Sequence, residues 1–150
     1  VRRALAAALA VAALVGLLSA CGEDDPFERY CDVVREEQAG LTRDLGDAGT
    51  AGLLPALPAF ERLEDAAPDD IADDWSVITQ RLTGLADALD DAGVDPSTYD
   101  ATDPPADTTP EQREAIGLAA GAVATEEVRE ALGVVQQQAR DVCGTELTLS

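Results

Sequence analysis

The chain has 150 residues, with 30 Asp and Glu against 10 cations, all of them Arg, and a formal charge of −20 with no His. An acidic chain is repelled by phosphate, so binding nucleic acid through a basic surface is excluded. So are a His base or triad, His-ligated zinc and, at 3% aromatic residues, a base-stacking platform.

Arg2 and Arg3 precede the apolar run Ala4–Leu18. A cationic start followed by such a run is the pattern of an export signal, and it is short for a membrane span, which takes roughly 20 residues. The run closes on Leu18-Ser19-Ala20-Cys21. An apolar residue, two small residues and Cys resemble the lipobox of bacterial lipoproteins. The resemblance implies that residues 1–20 are a cleaved signal peptide and that the Cys21 thiol receives a diacylglyceryl group. Residues 21–26 then form a lipidated polar tether. An uncleaved anchor helix and a soluble signal with an incidental Cys are the competing readings. Cleavage removes two of the ten Arg and leaves eight against 30 carboxylates, a charge of −22. Anionic headgroups repel such a body, so the membrane is held only through acyl chains on Cys21, each buried CH₂ contributing about 0.8 kcal/mol.

Cys31 and Cys143 remain. An even pair in an oxidising compartment predicts a structural disulfide joining the start of the domain to its end, with two separate buried thiols as the alternative. Two thiolates without His make an incomplete zinc shell, and they are not spaced as a Cys-x-x-Cys redox pair.

Pro26 to Ala48 reads as the first helix, with Phe27, Tyr30, Cys31, Val34, Leu41 and Leu45 on one face and Gln38 interrupting it. Gly52 to Ala67 is a weaker helix around Leu54, Leu57, Phe60 and Leu63, with Pro55 and Pro58 confining its regular part to the residues after them. Pro68 to Ala92 is the clearest element: Ile71, Trp75, Ile78, Leu82, Leu85 and Leu89 alternate steps of four and three. Gly93 to Pro110 is rich in Pro and Asp and reads as a crossover loop that Tyr99 could pin to the bundle. Pro110–Val123 and Thr125–Cys143 form the last helical region, with a kink expected at Gly117 to Gly121. There Val128, Leu132, Val135, Ala139 and Val142 supply the core stripe, Thr125 is the N-cap and Gly144 the terminating glycine. Residues 145–150 read as a tail.

These elements predict an all-α antiparallel bundle of four to five helices over residues 27–144, with strand signals absent. Besides Leu18-Ser19-Ala20-Cys21, the segments Tyr30-Cys31, Ala66-Ala67-Pro68-Asp69-Asp70-Ile71 and Val142-Cys143-Gly144 are similar to small actinobacterial lipoproteins of unassigned function. That resemblance implies a lipid-anchored, disulfide-closed helical bundle and no known activity.

Side chains that could carry chemistry are few. Asp69, Asp70, Asp73 and Asp74 crowd one helix start, and Asp90, Asp91 and Asp95 surround Gly93. Neither set matches a calcium loop, and a solvated face that complements the helix dipole accounts for both, so no metal or cofactor site is assigned. Ser76, Ser97 and Ser150 have no His or Lys to activate them. The expected function is a non-catalytic binding or scaffolding protein of the cell envelope, with no catalytic residues and an unidentified envelope protein as partner. The alternatives are a ligand-binding module for a cation, a basic peptide or a small hydrophobe, and a carboxylate-based hydrolase.

Overall fold

The computed structural model describes residues 25–47, 52–100, 103 and 106–149. Among them are five α-helices and no strand: α1 Pro26–Asp47, α2 Leu57–Ala66, α3 Ala72–Asp91, α4 Pro110–Val123 and α5 Glu126–Cys143. Single turns of 3₁₀ helix at Leu54–Ala56 and Pro96–Thr98 precede α2 and follow α3. The lipobox residues Leu18, Ser19 and Ala20, and Cys21 itself, lie outside the described residues.

Cross-helix contacts give the topology. Arg29 donates to the Asp65 carbonyl at 3.2 Å, and Arg62 grips Glu37 with two bonds of 2.6 and 2.7 Å, so α2 runs back along α1. Gln112 reaches the carbonyl of Asp91 at the top of α3, Arg81 meets Glu127, and Gln138 meets Asp70 at its foot. In each of these pairs the partner's number falls as α4 and α5 advance, so both helices run antiparallel to α3, one above the other. The result is an up-down-up-down bundle whose fourth member is divided in two, with α3 in contact with α2, α4 and α5.

The division falls at Ala124–Thr125, between the two segments the sequence gives, and α4 continues through Gly117 to Gly121, where the sequence suggests a kink. Gly117 and Gly121 lie inside α4. A helical glycine costs about 1 kcal/mol relative to Ala, too little to break a helix that packs on a neighbour. Thr125 decides the position instead: its backbone is extended (ψ 161°) and its hydroxyl accepts the Val128 amide at 3.4 Å, starting α5. A capping box starts α4, with Thr109 and Gln112 each bonding the other's backbone amide and Pro110 in the first turn.

All six residues of the α3 stripe are buried, together with Tyr30, Cys31, Val34 and Leu41 of α1 and Leu54, Phe60 and Leu63 around α2. Tyr99 is buried as expected and so pins the crossover segment. Two stripe positions are turned out. Phe27 is exposed in the first turn of α1, and Val142 is exposed because the inward steps along α5 run Val135, Ala139, Cys143. The α4 helix buries only Ile116 and leaves Leu118 71% exposed.

The C-terminal segment is not a free tail. Leu147 and Leu149 are 4% and 1% exposed, whereas Glu146 and Thr148 before and between them face solvent. That alternation marks extended chain lying on a surface. A short Leu-x-Leu segment at a terminus carries no helical period, which is why its docking escapes a reading of periodicity.

Candidate functional site

The disulfide-closed end of the bundle collects the features with chemical potential. Cys31 and Cys143 are bonded, with Cα atoms 5.1 Å apart and a sequence separation of 112. The expected pairing is therefore present. It fixes the first turns of α1 to the last turn of α5, a few residues from where the chain enters the described fold. Asp25 secures that point of arrival: its carboxylate accepts the Phe27 amide at 3.0 Å and its carbonyl accepts the Arg29 amide.

Beside the disulfide lies an aromatic knot. The indole of Trp75 donates to the Tyr30 hydroxyl at 3.1 Å, and the Phe60 ring stands 5.7 Å from the Trp75 ring at 46°. All three rings are fully buried, so Trp75 is a core anchor. Burial pushes the Tyr30 hydroxyl up to about 12; the Trp75 hydrogen bond opposes the rise and the Asp70 charge adds to it. A phenol held this firmly protonated offers no base near neutral pH.

The acidic groups stay dispersed. Asp69, Asp70 and Asp73 are exposed, and Asp74 is held above its ordinary value by burial first and then by the Asp73 charge. Glu37 is held below the usual range, chiefly by its hydrogen bonds from Arg62. Asp95 is held low by the hydroxyl and amide of Ser97, which it caps. Among the described residues no group of three or more Cys, Asp or Glu is placed to hold a metal ion. A groove between α2 and α3 gathers Glu61, Glu64 and Asp87, with the buried Thr79 hydroxyl donating to Glu64 at 2.6 Å. The Ser76 hydroxyl accepts from the Gln80 amide, and the Ser97 hydroxyl donates to the Asp95 carboxylate, whose lowered value makes it a weak base.

From the disulfide the chain turns sharply at Gly144, whose φ of 62° is left-handed, and its amide and that of Thr145 both close on the Ala139 carbonyl. Thr145–Leu149 then climbs α1 as an extended strap. The register is regular. Cys143 sits at Cys31, the Glu146 carbonyl accepts the Gln38 side-chain amide at 2.9 Å, and Thr148 and Leu149 share a groove with Thr42 and Leu45. Seven helical residues rise about 10.5 Å and three extended residues about 10 Å, so the step from Glu146 to Leu149 matches the two turns of α1 from Gln38 to Leu45. This explains Gln38, the polar residue in an apolar stripe: its amide holds the backbone carbonyl just before the first leucine seat. The groove at the strap's far end has a volume of about 360 Å³ and is bordered by Leu45, Gly46, Gly52 and Leu53.

The strap's energetics are closely balanced. Burying two leucines contributes about 3–6 kcal/mol and the hydrogen bond about 1, against roughly 5–10 kcal/mol for ordering five residues.

No protein-family model, characterised protein or solved structure matches this chain. What the chain does must be read from its own residues.

Proposed function

We propose that the chain is a lipid-anchored protein of the cell envelope, tethered through acyl chains on Cys21, whose helical bundle serves outside the cytoplasm as a non-catalytic binding or scaffolding body. One observation carries this reading: Leu18-Ser19-Ala20-Cys21 closes an apolar run that comes after Arg2-Arg3, the arrangement of a lipoprotein signal. Three structural facts support it. Helix α1 begins at Pro26, and the residues between Cys21 and it in sequence are the polar Gly22-Glu23-Asp24-Asp25. A disulfide closes the domain, as suits an oxidising compartment. No helix among the described residues is long and apolar enough to cross a membrane. The absence of His and Lys from the whole chain argues against acid–base and nucleophilic catalysis.

The test is expression of the full chain in a bacterial host, then detergent-phase partition and intact mass. A species beginning at Cys21 with a mass increment for its acyl chains is expected in the detergent phase, and Cys21→Ser should move the protein to the aqueous phase. A mature chain beginning at any other residue, or an unacylated Cys21, overturns the proposal.

A further inference from the structure

We propose that the C-terminal strap Thr145–Leu149 is a latch: it lifts from α1 as a unit, hinged at Gly144, while the Cys31–Cys143 bond keeps the helices closed. The hinge is suited to it. Gly144 is exposed and occupies the left-handed region, and without a side chain it reaches other backbone conformations at little steric cost.

Thr145 is fastened by its amide to the Ala139 carbonyl and by its hydroxyl to the Cys143 carbonyl at 3.3 Å, and beyond Thr145 the fastenings are few. Among the described residues the amides of Glu146, Leu147, Thr148 and Leu149 form no hydrogen bond, and the Glu146 carbonyl is held by Gln38 alone. The remaining hold is the burial of Leu147 and Leu149. Among the described residues the strap's one backbone bond to a helix runs from the Thr145 amide to the Ala139 carbonyl of α5, so lifting frees that cap and breaks no bond within a helix. Segments with few hydrogen bonds and a small share of the core open at free energies well below that of global unfolding. The disulfide separates the two events, because Cys143 stays beside Cys31 whether the strap is seated or free.

Lifting joins the seat of Leu149 to the groove of about 360 Å³ bordered by Leu45 and Leu53. The latch therefore governs whether the upper half of α1 presents a covered surface or a leucine-lined channel. The first occupant of that channel is the chain's own Leu-x-Leu end.

Thiol labelling under native conditions tests this. Leu149→Cys and, as a core reference on α5, Val135→Cys are alkylated in the disulfide-intact chain over a series of sub-denaturing urea concentrations. The Leu149→Cys thiol is expected to react at least ~100-fold faster than the Val135→Cys thiol, with little dependence on urea, while Val135→Cys tracks global unfolding. Adding Gln38→Ala should speed Leu149→Cys labelling about fivefold, the loss of one hydrogen bond, and leave the urea slope of Val135→Cys unchanged. Because Leu149→Cys itself loosens the strap, the unmodified chain is also treated with a carboxypeptidase. Trimming that stops near Gly144 in a still-folded protein is expected. Equal urea slopes for the two thiols, or resistance to carboxypeptidase until the helices melt, overturns the latch.

Discussion

Replacing both bridging cysteines with alanine is the most informative single perturbation of this fold. The bond closes a span of 112 residues. In the chain-entropy model that closure removes about 16 cal/mol/K from the unfolded chain, or about 4.8 kcal/mol at 25 °C. Cys31 is buried and Cys143 half-buried, so the pair also loses some packing, and the expected total cost is about 5 kcal/mol. For a domain of this size each kcal/mol moves Tm by about 3–5 °C, giving a fall of about 15–25 °C. Urea melts monitored by circular dichroism and by the fluorescence of Trp75, the chain's one Trp, measure the effect; reduction of the unmodified protein should reproduce it. The slope of the urea transition should rise as well, since an uncrosslinked unfolded chain exposes more surface. A fall of less than about 5 °C with an unchanged slope would refute the idea that the bond acts by restraining the unfolded chain.

Two substitutions locate the division between the last helices by opposite signs. Thr125→Ala should lower stability by about 1 kcal/mol, and Gly121→Ala, where a methyl meets open space inside α4, should raise it by about 0.5–1 kcal/mol in the same melts. Trp75→Phe leaves the buried Tyr30 hydroxyl without its indole donor and should cost about 1–3 kcal/mol beyond the lost ring volume, with Tyr30→Phe in the same background recovering part of it in a double-mutant cycle. In pH titration of stability, ionised Asp74 is penalised in the fold and that penalty is relieved as pH falls, whereas Glu37, whose carboxylate is favoured in the fold, contributes above its unfolded value and loses that contribution below it. With the excess of negative charge also easing, maximum stability is expected on the acid side of neutral, and Glu37→Gln should flatten the decline below it. At the alkaline limit Tyr30 stabilises the fold fully below pH 10, and that contribution is lost as pH rises toward about 12, so spectroscopic titration should show its phenolate forming together with unfolding.

How far the fold was legible depended on whether a residue's partner was near in sequence or far. The α3 stripe from Ile71 to Leu89 repeats in steps of four and three, and each of its residues is buried. The Cys31–Cys143 pairing came from the count of cysteines left once Cys21 is assigned. Positions set by distant contacts were hidden. Gln38 reads as a flaw in the first helix because its partner, the Glu146 carbonyl, lies 108 residues away. Leu147 and Leu149 read as a tail because a strap needs no period of its own. The two glycines of α4 drew the expected kink, while the local Thr-x-x-Gln box at Thr109 and the Thr125 cap, both readable in sequence, set where the helices begin.

The position of the disulfide also decides how the molecule carries tension. Pulled between a fixed amino end and its carboxyl end, the chain transmits force through Asp25 to Cys31, across the sulfur bridge, and out along the strap from Cys143. The 112-residue span between the two cysteines lies off that path and bears no load. Tension would straighten the first turn of α1 and peel Leu147 and Leu149 from their seats, and the extension would then stop at a covalent link. A bundle wired in this way yields at its two ends and keeps α2, α3 and α4 intact under any pull that leaves the bridge unbroken.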